Sequence, residues 1–182
     1  EIGAFRFRPV GLDAPLDIAD HWQRRSHNRL GALRKRHIGY VMQTGGLLPY
    51  LTVRENMSLS RSVLGLKNDD TIADLASELG IARHLDKLPD TLSVGERQRV
   101  AIGRALSHNP TIVIADEPTA SVDPFAAEKI MSLFIGLAEE RNITVVVASH
   151  AWRHIKRLDL RRLAHHTQRS KDGKTTETVV NG

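Results

Sequence analysis

Three short runs in this chain are almost wholly apolar: IGYVMQ at 38–43, TIVIA at 111–115 and ITVVVA at 143–148. TIVIA is typical of a central parallel strand that is buried on both faces, and the other two runs are typical of buried strands. Segments with apolar residues three or four positions apart lie between them and predict amphipathic helices. The alternation of strands and helices therefore predicts an α/β fold with a largely parallel sheet.

Signals for the start of a helix occur between these runs. Thr52 with Glu55, and Ser93 with Glu96, have the spacing of a capping box, in which side chains and backbone N–H groups exchange hydrogen bonds. Asp123 precedes a proline, as an N-cap often precedes a proline at the first helical position. We therefore expect a helix to begin directly after each of these caps.

The chain is expected to form one domain with a helical insertion. A polar helix is predicted over 16–36, after a short N-terminal strand. Residues 50–90 are expected to form a small helical block without strands, and 93–150 to return to the sheet. Residues 151–182 are expected to add a short basic helix and a hairpin whose turn is Asp172-Gly173.

Composition and charge narrow the classes of protein. The chain has 182 residues, no cysteine, a net charge of +5 and 4% aromatic residues. Without cysteine it can form neither disulfides nor thiolate metal sites. Basic residues cluster within 24–36 and 153–162, which fits a patch for nucleic acid or a membrane surface or, as we favour, solvated helix faces. The low aromatic content disfavours base stacking, so no nucleic-acid partner is expected.

An acidic pair, Asp116 and Glu117, directly follows the apolar run TIVIA. In parallel α/β sheets the carboxyl ends of the strands face the ligand crevice. An aspartate there can bind Mg²⁺ together with phosphate oxygens, and the next glutamate can polarise an attacking water. A solvated acidic turn is the alternative, but the order of apolar strand, Asp, Glu and Pro favours a functional site.

Other polar residues stand where a phosphate could bind. Ser93, Gly95 and Glu96 lie at a predicted helix N terminus, whose free N–H groups and dipole attract anions. Gln43 and His150 end two of the apolar runs and could reach a metal, a phosphate or a water. Taken singly, these signals also fit an ordinary cap, a loop-starting glutamine and a structural histidine.

In this combination and order, the motifs resemble those of the nucleotide-binding domain of ABC transporters. LSVGERQRVAIGRAL is similar to the LSGGQ signature, and IVIADEP resembles the Walker B strand. Gln43 is similar to the Q-loop glutamine, SVD at 121–123 to the D-loop, and Ser149-His150 to the H-loop. The tracts GYVMQTGGLLPYLTVRENM and ADEPTASVD are most similar to the subgroup of lipoprotein-release and macrolide-export ATPases.

The resemblance implies a P-loop NTPase-like fold, with a mostly parallel sheet flanked by helices and an inserted helical subdomain at about 48–92. It implies a subunit that binds ATP and Mg²⁺ and dimerises head to tail with a second nucleotide-binding subunit. It also implies a transmembrane permease as partner, which docks between the Q-loop and the helical subdomain. Such a subunit is cytoplasmic and lies on the inner face of the cell membrane.

The resemblance further implies a role for each site residue. Asp116 would bind Mg²⁺, and Gln43 would sense both Mg²⁺ and the attacking water. Glu117 would act as the general base, while His150 would contact the γ-phosphate. Four residues would lie at the ATP of the partner subunit or at the dimer interface beside it: Ser93, Gly95, Glu96 and Asp123.

The sequence departs from the family because it contains no GxxxxGK[ST] loop, the Walker A motif. Gly-Lys-Thr at 173–175 has Gln168 in place of the first glycine, and we interpret it as a chance match. We expect the sequence to begin just after that loop, which would leave TIVIA with an unpaired edge and a bare apolar face. The alternative is a catalytically incomplete module that only contributes its signature to a partner. Val94 and Glu96 also differ from the LSGGQ pattern.

Overall fold

The computed structural model describes residues 5–9, 11–67, 70–150, 160–169 and 176–181. The chain divides into two units, Glu1–Ala151 and Trp152–Gly182, and each is described by itself. Every site residue predicted from the sequence lies in the first unit.

The first unit combines strands and helices, as the apolar pattern predicts. Its described strands are β1 Arg6–Phe7, β2 Leu16–Asp17, β3 Ile38–Val41, β4 Ile112–Asp116 and β5 Thr144–Ala148. Its described helices are α1 Ile18–Gln23, α2 His27–His37, α3 Val53–Val63, α4 Thr71–Glu78, α5 Val94–Leu106 and α6 Pro124–Glu140. Two 3₁₀ turns, Ala82–His84 and Pro89–Thr91, connect α4 to α5. The division of this unit into subdomains stays a prediction.

The N-terminal segment differs from the single helix predicted over 16–36. β1 and β2 pair antiparallel, and two helices, α1 and α2, follow them. The side chain of Asp17 caps α1 by accepting hydrogen bonds from the backbone N–H groups of Ala19 and Asp20. Arg25 then adopts a φ of 51°, which interrupts the helix. Apolar spacing alone does not reveal such a break.

The main sheet has the order β3-β4-β5, and all three strands are parallel. Val41 pairs with Ala115, and Asp116 at the end of β4 pairs with Ala148 on β5. β4 is therefore the middle strand with a neighbour on each side. The expectation of an unpaired edge along TIVIA is wrong, and the carboxyl ends of the three strands meet at one edge of the sheet.

One face of this sheet contributes to the core. Val41, Val113 and Ala115 are fully buried, whereas Ile114 is half-buried and Val146 is 39% exposed. Successive side chains of a strand point to opposite faces, so this alternation shows that the described residues cover one face much better than the other. The prediction from the apolar run that β4 is buried on both faces is therefore wrong for the described part of the chain, whereas the expectation of a barer apolar face agrees with it.

Helix α5 packs directly against β3 at Gly39. A Cβ atom at this glycine would lie 2.4 Å from the carbonyl oxygen of Ala105 and 2.9 Å from Cγ2 of Val113. Toward α3, a Cβ atom at Gly103 would lie 2.6 Å from Cε of Met57. Because both glycines allow this close approach, α5 is held firmly between the sheet and α3.

The loop that follows β3 is held by Asn56, which is fully buried in α3. Its Oδ1 accepts a hydrogen bond of 2.8 Å from Leu48 N, and its Nδ2 donates to the carbonyl oxygens of Leu48 and Thr52. The predicted capping box at Thr52 is confirmed, because Thr52 Oγ1 accepts from Glu55 N and Glu55 Oε2 accepts from Thr52 N. The start of α3 is thus tied to the loop that carries Gln43.

The second unit contains an antiparallel pair of strands, β6 Ala164–Arg169 and β7 Thr176–Asn181. Arg169 pairs with Thr176, as expected for a hairpin. The predicted turn at Asp172-Gly173 and the predicted basic helix at 151–158 lie outside the described residues. Among the helices that the structure describes in either unit, none has the length and apolar content needed to span a bilayer.

Candidate functional site at the sheet edge and the N terminus of helix α5

Asp116 and Glu117 lie together at the carboxyl edge of the sheet. Asp116 is the last residue of β4, and its side chain is exposed. Glu117 follows with a φ of 44°, and its backbone N–H donates a hydrogen bond of 2.8 Å to the carbonyl oxygen of Ala148. A non-glycine residue with positive φ costs of order 1–3 kcal/mol and is frequent at functional sites.

Two groups from the end of β5 fix the carboxylate of Glu117. The hydroxyl of Ser149 donates to Glu117 Oε2 at 3.2 Å, and the backbone N–H of His150 donates to Oε1 at 2.6 Å. The imidazole of His150 is fully exposed, with Nε2 3.9 Å from Oε1. The structure therefore brings Glu117, Ser149 and His150 together, with the Glu117 side chain 16% exposed and the His150 ring facing solvent.

Gln43 lies beyond the end of its strand rather than within it. β3 ends at Val41, so the prediction that the strand extends to Gln43 is wrong by two residues. The Gln43 side chain is exposed in the following turn, and the described hydrogen bonds do not join it to Asp116. Both side chains nevertheless belong to segments that leave the same edge of the sheet.

Side chains of α5 hold the backbone of the loop after Gln43. Arg104 donates to the carbonyl oxygens of Gly46 and Gly45 at 2.7 and 2.8 Å. Gln98 donates to the carbonyl oxygen of Met42 at 3.4 Å. Sequence reasoning missed Arg104 and Gln98 because their partners lie more than fifty positions away in the chain. Helix α5 thus connects the loop that carries Gln43 to the N terminus of α5, where Ser93 lies.

The N terminus of α5 is fixed by the predicted capping box. Ser93 Oγ accepts from Glu96 N at 3.3 Å, while Glu96 Oε2 accepts from Ser93 N at 2.9 Å and from Ser93 Oγ at 2.8 Å. The hydrogen bonds from the backbone and side chain of Ser93 lower the pKa of Glu96 to about 2. Glu96 is therefore a carboxylate at neutral pH, and the cap carries a negative charge.

Two further residues, unrecognised in the sequence, contact this carboxylate. His84 Nε2 lies 2.8 Å from Glu96 Oε1, and Arg83 Nη2 lies 3.5 Å from the same oxygen. Both belong to the 3₁₀ turn Ala82–His84, twelve or thirteen positions from Glu96, a spacing that no local motif marks.

A cavity of about 470 Å³ joins the start of α5 to the start of α6. Ser93, Gly95 and Asp123 line it, together with the cationic residues Arg99 and Lys129, which sequence reasoning also missed. The carboxylate of Asp123 accepts hydrogen bonds from the N–H groups of Phe125 and Ala126, so the predicted N-cap of α6 is confirmed. Hydroxyl, backbone and cationic groups together make this cavity suitable for an anion.

Gly95 has room that the fold itself does not need. A Cβ atom added there would lie 3.5 Å from Cδ1 of Ile130 and 3.9 Å from Cγ1 of Val122, which are ordinary contact distances. The glycine is therefore not required by packing inside the chain. A backbone that must approach a ligand closely is the remaining physical reason for glycine at this position.

The sheet edge fits Mg²⁺ in the way expected for a nucleotide site. Asp116 offers one exposed carboxylate, and Mg²⁺ in such sites binds one or two protein oxygens together with phosphate oxygens and water. Among the described residues no cluster of three or more His, Cys, Asp or Glu could hold a metal without further ligands. The donor set therefore suits a metal that arrives with a phosphate.

The parallel sheet, with its acidic pair at the carboxyl edge and a capped helix N terminus nearby, is the architecture of a nucleotide-binding ATPase cassette. The chain belongs to the ABC transporter family, because residues 18–120 match that family and curated members are similar over most of the chain.

The relatives agree with the subgroup that the sequence motifs suggest. The chain is 36% identical over 132 residues to the lipoprotein-releasing system ATP-binding protein LolD 2 of Rhodopseudomonas palustris, covering 71% of this chain and 57% of the relative. It is 37% identical over 155 residues to the macrolide export ATP-binding/permease protein MacB of Rhodopirellula baltica, covering 82% of this chain and 22% of the relative. The chain thus spans little more than half, or less, of these relatives.

Solved structures support the same fold. The ATP-binding cassette MJ0796, in a dimeric post-hydrolysis state bound to ADP and Pi, is similar with a TM-score of 0.61 and 35% identity. The similarity covers 70% of this chain and 58% of that chain. CbiO1 from Clostridium perfringens is similar with a TM-score of 0.59 and 30% identity, over 68% of this chain and 50% of that chain. The P-loop NTPase-like fold class is confirmed.

Proposed function

We propose that this chain binds and hydrolyses ATP as a subunit of an ABC transporter and thereby powers transport through a separate membrane-spanning partner. The observation that carries the proposal is the fixed carboxylate of Glu117 beside the exposed carboxylate of Asp116 at the carboxyl edge of the sheet. The relatives' names support an ATP-binding role in transport, since they describe ATP-binding proteins of lipoprotein release and macrolide export.

Glu117 is the general base in this proposal. Hydrogen bonds from Ser149 Oγ and His150 N hold both carboxylate oxygens in place. The carboxylate can orient a water for attack and accept its proton. The exposed His150 ring lies at the same edge and would donate a hydrogen bond to the γ-phosphate. Because phosphoryl transfer depends mainly on positioning and electrostatics, this fixed arrangement is what the chain contributes.

Asp116 and Gln43 would hold Mg²⁺, which neutralises charge on the transferred phosphoryl group when it is bound. Asp116 supplies a carboxylate oxygen, and the exposed Gln43 supplies an amide oxygen from the neighbouring segment. The contacts of Arg104 with the carbonyl oxygens of Gly45 and Gly46 restrain the loop of Gln43. A restrained loop lowers the entropy that must be lost when the amide binds the metal.

The cavity at the N terminus of α5 would bind the phosphates of ATP held by a second nucleotide-binding subunit. Ser93, Gly95 and Glu96 stand at the helix N terminus, and Asp123 lines the same cavity. The ATP-binding cassette MJ0796, described as dimeric, supports a dimer of this chain, which in this proposal is head-to-tail. ATP would then lie between the two subunits.

A transmembrane permease is the second proposed partner, and the chain would lie on the cytoplasmic face of the membrane. The loop after Gln43 offers a docking surface, because Tyr50 is 72% exposed beside the start of α3. Leu88, in the turn before α5, is 41% exposed. Tyr50 and Leu88 stand at the two ends of the helical segment along the chain, and exposed apolar side chains of this kind are suitable for contact with a partner helix.

The protein expressed from its complete open reading frame provides the test. We expect hydrolysis of MgATP that Glu117→Gln reduces at least about 100-fold, as loss of a general base typically does, while MgATP binding is retained. Glu139→Gln, which neutralises an exposed carboxylate of α6, is the matched control and should leave the rate unchanged. Equal rates for Glu117→Gln and the wild type would contradict the proposal.

A further inference from the structure

The two oxygens of the Glu96 carboxylate have different partners. Oε2 accepts the hydrogen bonds of the capping box from the backbone N–H and the hydroxyl of Ser93. Oε1 instead lies 2.8 Å from His84 Nε2 and 3.5 Å from Arg83 Nη2. His84 is 7% exposed, so its contact with Glu96 is largely shielded from water, whereas the side chain of Arg83 is 78% exposed and its contact is open to solvent.

The ring of His84 is oriented by this contact. Arg83 Nε lies 3.0 Å from the same Nε2 atom, and one nitrogen cannot both accept from Arg83 and donate to Glu96. The contact with the carboxylate is the shorter, and two acceptors at 2.8 Å would repel each other, so Nε2 carries the proton and donates to Glu96. Nδ1 is buried without a hydrogen-bond partner in the described structure.

The negative charge of Glu96 poses a problem for phosphate binding at the cap. The hydroxyl hydrogen of Ser93 is donated to Glu96, and a carboxylate beside a phosphate raises the free energy of binding through like-charge repulsion. The family pattern LSGGQ has a neutral glutamine at this position. A carboxylate can serve there only when nearby donors and positive charge balance it.

We propose that His84, together with Arg83, is a positioning residue of the signature that holds and partly neutralises Glu96. The N terminus of α5 can then bind the phosphate of a nucleotide carried by a second subunit. The inference rests on the proposed function, because it requires a phosphate at this cavity. Its distinctive consequence is that the need for His84 depends on the charge at position 96.

The test compares His84→Met, Glu96→Gln and the double variant in the protein expressed from its complete open reading frame. Methionine fills the buried space of the imidazole without a donor. We expect His84→Met to lower kcat/KM for MgATP about tenfold, since a hydrogen bond to a charged group is lost. In the Glu96→Gln background the same change should lower kcat/KM less than about twofold, because no carboxylate remains to be balanced.

Two further variants separate this role from a structural one. His84→Gln retains a donor and should restore at least about half of the wild-type kcat/KM. Asp86, two residues after His84, forms an exposed ion pair with Arg54 of α3. Asp86→Asn removes this pair and should leave kcat/KM unchanged. Thermal unfolding of each variant establishes that all are folded at the assay temperature.

The outcomes distinguish the two proposals. A wild-type protein without MgATP hydrolysis would overturn the proposed function and this inference with it. An active wild type in which His84→Met has the same effect in both backgrounds would overturn only the positioning role of His84. A tenfold loss confined to the background with Glu96 supports the role of His84 and Arg83 as partners of the signature carboxylate.

Discussion

Glu117 holds its carboxylate in place through contacts that are distant in sequence. Its φ of 44° is stabilised by the hydrogen bond from its N–H to Ala148, and its side chain accepts from Ser149 and His150. The order of apolar strand, Asp and Glu predicted an acidic pair at a strand end. It could not predict the rotation of Glu117 toward β5, because that depends on residues more than thirty positions away.

Ser149→Ala tests how much this fixation matters. The variant removes the hydroxyl that donates to Glu117 Oε2 and leaves the donor from His150 N. We expect kcat for MgATP to fall about three- to tenfold with little change in KM, because a loosely held base is less often aligned with the water. Steady-state kinetics measure both constants, and Ser132→Ala on the exposed side of α6 is the control. A change in KM alone would argue against this role.

The buried imidazole of His108, just after the end of α5, should make the stability of the protein depend on pH. Burial, aided by the positive charge of Arg36, lowers its pKa to about 4, although the contact with the Ile38 backbone acts in the opposite direction. Neither ring nitrogen makes a hydrogen bond of ordinary geometry in the described structure. As pH falls from about 6.5 to 4, the unfolded chain binds a proton at this position that the folded chain does not. The free energy of unfolding should therefore fall over this range.

Urea unfolding at pH 7.5 and 4.5 measures this effect. Between pH 7.5 and 4.5, the free energy of unfolding should fall by up to about 3 kcal/mol more for the wild type than for His108→Leu, because leucine has no group to protonate. His27→Leu, which removes an exposed histidine of α2, should follow the wild-type dependence closely. Parallel pH curves for the wild type and His108→Leu would be evidence against burial of a neutral imidazole at this position.

At the scale of elements, the features that were predicted best from the sequence are the helix N-caps, which depend only on neighbouring residues. The caps at Thr52, Ser93 and Asp123 depend on side chains within three positions, and all three are present in the structure. The break after α1, where Arg25 has a positive φ, and the end of β3 two residues early were not predicted from apolar spacing. Burial was predicted from apolar runs alone, and it was wrong where one face of the sheet is less covered.

The contact between β3 and α5 gives the clearest test at this scale. Gly39→Ala places a Cβ atom 2.4 Å from the carbonyl oxygen of Ala105, a backbone atom that moves only with the whole helix. We expect the free energy of unfolding to fall by about 1–3 kcal/mol, as for other overpacked sites. Urea unfolding with the midpoint and m-value compared to the wild type measures the change.

Gly136→Ala is the matched control for this substitution. Gly136 lies inside α6, and a Cβ atom there meets nothing within 4 Å. Because alanine favours the helix over glycine, this variant should be more stable by about 0.5–1 kcal/mol. A similar loss of stability in both variants would mean that the close approach at Gly39 is not the cause.

At the scale of the whole molecule, the candidate residues fall into two groups that serve different sides of a nucleotide. Asp116, Glu117 and His150 belong to the sheet edge, while Ser93 and Asp123 line the cavity at the starts of α5 and α6. The resemblance to ABC transporters already assigned the two groups to different sides of the ATP site, but sequence order alone could not show that Ser93 and Asp123 line one cavity. Helix α5 connects them physically through the contacts of Arg104 with the loop after β3.

This division predicts that ATP controls the association of two copies. In Glu117→Gln, MgATP bound to one subunit would not be hydrolysed, and the cavity of the other subunit would contact it. The molar mass of the protein in solution should therefore double on adding MgATP but not on adding MgADP. Size-exclusion chromatography with light scattering measures this in the protein expressed from its complete open reading frame. Ser93→Arg in the same background fills the cavity and should keep the protein monomeric while MgATP binding persists. Doubling that survives Ser93→Arg would place the contact between copies elsewhere on the molecule.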